Sequence, residues 1–226
     1  MDLIELLNRT VHFADPTTIL DFGCGTGNYL DQIQRLYGPK CYGVEPSESM
    51  RERAAMKNAA CIVKAGNHLH VPFPDDHFDF VYMTDVIHHV PDRPRMFEEL
   101  GRVIKASGRL CVVTQSHAQI ESRFYNRYFP SLAQIERRRY PDVPDLIREG
   151  EVAQFRPEKV DIKPYAATDT VTAAFIQTVE EKNFSMFRLL NDEEHAMGLA
   201  QLKNDLGRVY ETPDSGQSLV WFERMM

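Results

Sequence analysis

The chain has 226 residues, with 26 Lys and Arg against 33 Asp and Glu, giving a net charge of −7. A composition that is 43% hydrophobic and 26% charged belongs to an ordinary globular domain, which excludes global disorder and fibrous structure. The acidic balance speaks against a general nucleic-acid binder, and no apolar run approaches the roughly 18 residues a membrane helix needs. The start, Met1-Asp2-Leu3-Ile4-Glu5, carries acid where a secretory signal carries base. Cys24, Cys41, Cys61 and Cys111 form no CxxC pair and no zinc-ligand spacing, so they read as reduced thiols of a cytoplasmic protein.

In chain order, the first strand is Thr18-Ile19-Leu20-Asp21-Phe22, which runs into Gly23-Cys24-Gly25-Thr26-Gly27. Leu30, Ile33 and Leu36 follow at helical spacing. A second strand covers 40–45, and Ser49 with Glu52 has the spacing of a capping box for the next helix. Strands are expected at 60–64 and 78–83. A helix then carries Met96, Phe97, Leu100, Val103 and Ile104, and a fifth strand covers 109–114. Strands separated by helices of this length imply parallel pairing in a doubly wound α/β sheet. Beyond Thr114 the alternation breaks. Residues 116–141 are aromatic and charged; a helix at about 142–154, a strand near 160–165, helices at about 171–182 and 192–207, and a last strand at 218–223 complete the chain. The reading is one domain over 1–226, with 116–141 and 171–207 as insertions forming a helical lid over one end of the sheet.

The glycine loop carries the first chemical signal. Glycines allow positive φ and close approach of backbone to a ligand, and the loop opens a helix whose first N–H groups lack partners. Glu45 stands at the end of the second strand, where a carboxylate can accept both hydroxyls of a ribose. Loop and acid together describe a nucleoside-cofactor site. A dinucleotide loop would place a third glycine at position 28, which is Asn28.

From these residues onward the chain resembles the class I S-adenosylmethionine-dependent methyltransferases, in the small-molecule branch that includes the ubiquinone/menaquinone-type enzymes. Ile19 to Gly27 looks like the family's first motif, and Gly43-Val44-Glu45-Pro46-Ser47 is similar to its second. Val71-Pro72-Phe73-Pro74-Asp75 with Phe78-Asp79 resembles its LPFPD…FD segment, Ile87-His88-His89-Val90-Pro91-Asp92 its LHHxxD segment, and Glu99 to Leu110 its ExxRVLKPGGxL segment. Where the family commonly has an Asp that accepts the adenine amino group, this chain has Gly66-Asn67-His68.

The resemblance implies a seven-stranded, mostly parallel Rossmann-like sheet, with S-adenosylmethionine as cofactor and S-adenosylhomocysteine as product. It implies that Asp21 faces the donor's amino group, that Gly23, Cys24, Gly25 and Gly27 pack on its methionine part, and that Glu45 and Pro46 hold the ribose. Asn67 and His68 fall at the adenine, and Thr84, His88 and His89 near the donor. Methyl transfer from a sulfonium needs alignment and exclusion of water, with a general base only where the acceptor must lose a proton. His88 or His89 could be that base; a family-typical polar pair is the plainer reading.

His68, His70, His77, His88 and His89 crowd one window but lie on separate loops, so no metal is expected. Arg123 to Phe129 and Arg137 to Pro141 are the acceptor-site candidates, with Tyr125 and Tyr128 as possible catalytic groups and arginines for an anionic moiety. The competing reading is an amphipathic helix with solvated arginines. The partner expected is a small-molecule methyl acceptor, with neither nucleic acid nor membrane. The alternatives are a non-catalytic binder of the donor and, against the motif evidence, a nicotinamide-dependent oxidoreductase.

Overall fold

The computed structural model describes residues 2–225. Helix α1 (Leu3–Val11) opens the chain, capped by the Asp2 carboxylate, which accepts from the Leu3 N–H at 2.8 Å. Then follow β1 (Thr18–Phe22), α2 (Asn28–Tyr37), β2 (Lys40–Val44), α3 (Glu48–Lys57), β3 (Ile62–Lys64), β4 (Phe78–Thr84), α4 (Arg93–Val103) and β5 (Ile104–Thr114). Beyond them lie α5 (His117–Glu121), α6 (Leu132–Arg139), α7 (Val143–Val152), β6 (Phe155–Pro164), β7 (Thr168–Thr170), α8 (Ala173–Glu180), α9 (Asp192–Asn204), β8 (Val209–Glu211) and β9 (Gly216–Arg224). Seven strands form one sheet in the order β3-β2-β1-β4-β5-β9-β6. β1 to β5 pair in parallel and β9 runs antiparallel to β5, as a mostly parallel Rossmann-like sheet requires.

Alternation along these strands divides the apolar side chains between two cores. Leu20, Phe22, Val81, Met83, Val112 and Phe222 pack on one face, and Ile19, Cys41, Phe80, Tyr82, Val113 and Trp221 on the other. Burial of both faces explains the near-continuous apolar runs that made the strands readable.

The chain divides into two compact units: residues 1–114, 143–163 and 218–226, and residues 115–142 and 164–217. The first unit carries the sheet and its flanking helices. The second has a core of its own, in which Phe124, Tyr128, Phe129, Val179, Phe187 and Leu202 pack together. Space there is tight: a Cβ on Gly198 would lie 2.2 Å from the Phe129 ring.

Several expectations need correction. Helix α3 is capped from Ser47 rather than Ser49, and no Ser side chain caps it; the Ser47 N–H donates to the Glu45 carboxylate instead, at 2.9 Å. β5 begins at Ile104, not 109, because its pairing with β4 bulges between Phe78 and Phe80 and Ser107 takes φ +61°. β6 begins at Phe155, well before the expected 160, since the charges of an exposed edge strand hide its period. The small antiparallel β7–β8 pair was not anticipated.

Candidate functional site

The C-terminal ends of β1, β2 and β4 bring the first-unit candidates together. Asp21, next to last in β1, is buried and accepts a hydrogen bond from the Tyr82 hydroxyl of β4 at 3.0 Å. Register makes this pair, since Asp21 and Tyr82 are direct neighbours across the β1–β4 ladder. Burial is the main cause that pushes the Asp21 carboxyl from an ordinary 3.8 up to about 7; the Tyr82 hydrogen bond works against it and nearby Glu45 adds to it. The same burial, with Asp21 beside it, pushes the Tyr82 phenol well up.

The loop after β1 is held by backbone bonds. The N–H groups of Gly23 and Cys24 both donate to the Val44 carbonyl, at 2.8 and 3.1 Å, and Lys57 holds the Thr26 carbonyl at 2.9 Å. Gly23, Gly25 and Gly27 all have positive φ. Two of these glycines have distinct reasons. A Cβ on Gly23 would stand 2.5 Å from Val86 Cγ2, so the loop packs directly on the turn after β4; a Cβ on Gly25 would meet nothing within 4 Å, so the backbone there is bare. Gly27 caps α2 without any side-chain hydrogen bond, leaving that helix start to other acceptors.

Glu45 follows β2 and is 7% exposed. Its two carboxylate oxygens accept from the Gly25 N–H at 3.0 Å and the Ser47 N–H at 2.9 Å, which fixes the side chain between the loop and the start of α3. Each oxygen keeps a lone pair for a further donor. Beside it lies an apolar slot walled by Phe22, Val44, Val86 and Val90, with Gly23, Pro46, Gly66, Asn67, His68 and His89 completing the lining.

Pro46, His68 and His89 all line this slot. Cys24 is buried in the core below the loop, and burial pushes its thiol up. Asn67 lines the slot, but its Oδ1 already accepts from the N–H groups of Leu69 (2.9 Å) and His70 (3.2 Å). That side chain fastens the 66–70 turn, so the acceptor role expected of Asn67 toward adenine is corrected to a turn-forming one. Gly66 is required there, because a Cβ would lie 2.8 Å from both the His70 carbonyl and Pro72. Thr84 ends β4 with a buried Oγ1 that has no hydrogen-bond partner among the described residues.

His88 and His89 share a 3-10 turn with ring centroids 4.0 Å apart, and only His89 lines the slot. His77 packs among Tyr42, Phe73 and Phe78, and His70 lies 3.9 Å from Glu99. Among the described residues no three His, Cys, Asp or Glu are grouped to hold a metal.

The second unit holds the other candidates. Tyr128 is 4% exposed, and its hydroxyl is engaged with Asp205 (2.8 Å) and Tyr210 (2.6 Å). A phenol so committed is a structural tie, which corrects its reading as a catalytic group. The Tyr125 hydroxyl contacts Met186 Sδ at 3.8 Å, and burial pushes its phenol up. Arg123 and Arg139 share the Glu136 carboxylate at 3.1 and 2.6 Å. With one guanidinium more than the carboxylate can neutralise, this buried cluster keeps a surplus positive charge. Sequence reasoning missed Tyr82, Phe22, Val86 and Val90; alternation along β4 could have found Tyr82, whose side chain shares a sheet face with Asp21.

The site fits S-adenosylmethionine. Asp21 is a buried carboxylate with one hydrogen-bond donor, Tyr82, among the described residues, and is suited to an ammonium; bare backbone at Gly25 leaves room for a chain; Glu45 has lone pairs for a diol; and the slot suits a flat apolar ring. Residues 20–112 match the family described as "Methyltransferase domain". The chain is 37% identical over 113 residues to a demethylmenaquinone methyltransferase of Symbiobacterium thermophilum, covering 46% of this chain and 45% of that protein. It is 34% identical over 132 residues to a protein of Oryza sativa subsp. japonica described as a chloroplastic tocopherol O-methyltransferase, covering 52% and 36%. The chain thus spans between a third and a half of the length of these relatives. In fold it resembles a crystal structure from Anabaena variabilis, described as a methyltransferase of an antibiotic biosynthesis pathway, with a TM-score of 0.77 and 21% identity over 97% of this chain and 95% of that one. Over residues 20–112 the chain is thus similar to a methyltransferase domain.

Proposed function

We propose that the protein transfers the methyl group of S-adenosylmethionine to a small-molecule acceptor at oxygen, nitrogen or carbon. The observation that carries this reading is the pair of carboxylates at adjacent strand ends, Asp21 and Glu45, flanking a bare-backbone glycine loop over an apolar slot. When bound, the donor supplies a methyl group activated on a sulfonium. Asp21 holds the donor's ammonium, Glu45 orients the ribose hydroxyls, and Phe22, Val44, Val86 and Val90 enclose the adenine. Thr84 offers a buried hydroxyl at the end of β4. His89, on the slot wall, is the candidate to take a proton where the acceptor is a hydroxyl or amine.

Recognition of the acceptor is assigned to the second unit, with Arg123 and Arg139 supporting an anionic group and Tyr125 an apolar one. The cover role of 116–141 and 171–207 belongs to the same proposal. Its support is chain order: the second unit follows Thr114, the end of a parallel strand, where such sheets carry their ligands.

Calorimetry with S-adenosylmethionine, S-adenosylhomocysteine and NAD tests the donor reading. Binding of the first two without the third is expected; binding of NAD alone would overturn it. Slowed hydrogen exchange at 116–141 and 171–207 with donor product bound is expected of a cover, and protection confined to 19–90 would count against one.

A further inference from the structure

Three of the four cysteines, Cys24, Cys41 and Cys61, share one buried cluster beneath the glycine loop. The register of β2 and β3 pairs Tyr42 with Ile62, so the residues just before them, Cys41 and Cys61, face each other on neighbouring segments of the sheet. Paired parallel strands lie about 4.8 Å apart, inside the roughly 4.4–6.8 Å between Cα atoms that a disulfide spans. We propose that Cys41 and Cys61 are a reversible disulfide site, closed by a peroxide-class oxidant, and that closure disturbs the donor loop above it.

The four thiols differ in a way that makes one pair reactive. Cys111 is fully buried and its thiol is pushed well up; Cys24 is pushed up by burial and by the carboxylates of Asp21 and Glu45. Cys61 is 8% exposed, next to the turn at 58–61, and the Cys41 thiol donating to it draws it down. Cys61, the more exposed of the pair at 8% against 2%, is the sulfur for first attack, and Cys41 the resolving partner.

The chemistry balances with hydrogen peroxide as oxidant. The Cys61 thiolate attacks one peroxide oxygen; an S–O bond forms, the O–O bond breaks, and hydroxide leaves to become water with a proton. The resulting sulfenic acid is attacked by the Cys41 sulfur; the S–S bond forms, the S–O bond breaks, and the departing hydroxide takes the Cys41 proton as a second water. Two thiols and one peroxide yield one disulfide and two waters.

The effect on the loop follows from packing. A Cβ placed on Gly43, between Cys41 and Glu45, would lie 2.6 Å from Cys24 Sγ and 2.9 Å from Leu30 Cδ1, so β2 has no slack beneath the loop. Closing the bridge fixes β2 against the 58–61 turn, and β2 leads directly into Val44, whose carbonyl holds Gly23 and Cys24, and into Glu45, whose carboxylate holds the Gly25 N–H.

The test treats the full-length protein with stoichiometric hydrogen peroxide, blocks remaining thiols and maps peptides. The expected result is a chain lighter by two hydrogens, with Cys41 linked to Cys61, reversed by dithiothreitol and lost in Cys61→Ser. Linkage of Cys24 or Cys111 instead, or no intramolecular disulfide, would overturn the site. Hydrogen exchange is expected to change at 23–27 and 41–45 on oxidation, and affinity for S-adenosylhomocysteine to fall at least fivefold. A bridge that alters neither would overturn the coupling. Because mapping and exchange need no ligand, failure of the reduced protein to bind S-adenosylhomocysteine would refute the donor reading alone.

Discussion

Replacing Asp21 by Asn should make the protein more stable at neutral and alkaline pH while removing the carboxylate proposed to hold the donor's ammonium. The Asp21 carboxyl is raised from an ordinary 3.8 to about 7, chiefly by burial. Between those values the folded chain keeps a proton that the unfolded chain releases. Wild-type stability therefore falls as pH rises through this window, and the loss is complete above about pH 7. A shift of about three pKa units corresponds to roughly 4 kcal/mol. Asn removes the charge and can still accept the Tyr82 hydroxyl through Oδ1, but its amide N–H groups need partners, at a cost of about 1–2 kcal/mol. The net gain at pH 8 is then about 2–3 kcal/mol, or roughly 4–12 °C in Tm for a chain of this size.

Thermal unfolding of wild type and Asp21→Asn from pH 4 to 8 measures this directly, since other titrating groups are common to both. Asp21→Asn should be the less stable by about 1 kcal/mol near pH 4, cross the wild-type curve near pH 5, and gain on it steadily until about pH 7. A constant difference across the range would refute the raised carboxyl. The same group gives a second readout: an ammonium held by Asp21 favours its ionised form, so donor binding at pH 6 should release up to one proton. Calorimetry in two buffers of different ionisation enthalpy detects that release, which should be absent in Asp21→Asn.

Glu45→Gln should weaken S-adenosylhomocysteine binding by about 1–3 kcal/mol, because it removes the charge from the ribose acceptor and turns an N–H toward Gly25 or Ser47; unchanged affinity in calorimetry would remove Glu45 from the site. Gly23→Ala should cost about 1–3 kcal/mol through positive φ and the clash with Val86, and Val86→Ala should recover part of it in a double-mutant cycle read by denaturant unfolding; simple additivity would refute the clash. Tyr128→Phe should lower stability by about 1–2 kcal/mol by leaving Asp205 and Tyr210 short of a partner, whereas Tyr125→Phe, whose hydroxyl meets Met186 Sδ and Arg123, should cost less than that. A turnover loss in Tyr128→Phe larger than its loss of folded protein would return Tyr128 to the catalytic machinery.

The parts of this molecule that were legible in sequence are those whose geometry is local. β1 and its glycine loop announce themselves because an apolar run must end where positive φ is needed, and Glu45 because one strand later its carboxylate must cap that loop. Tyr82 escaped because its importance lies in a register partner 61 residues away, and register is fixed by the whole sheet. Asn67 was misjudged for a related reason: an amide that can accept from a ligand can equally accept from its own turn, and only the coordinates show the Leu69 and His70 N–H groups already there. Residues 116–141 were opaque because their aromatics are buried in a core completed by 171–202, so no short window shows a full period. Tyr128 illustrates the consequence. Read along the chain it is an exposed-looking phenol in an arginine-rich stretch; read in the fold it is tied to Asp205 and Tyr210, some eighty residues on, and a group whose hydroxyl is spent holding a core together is poorly placed to serve a substrate.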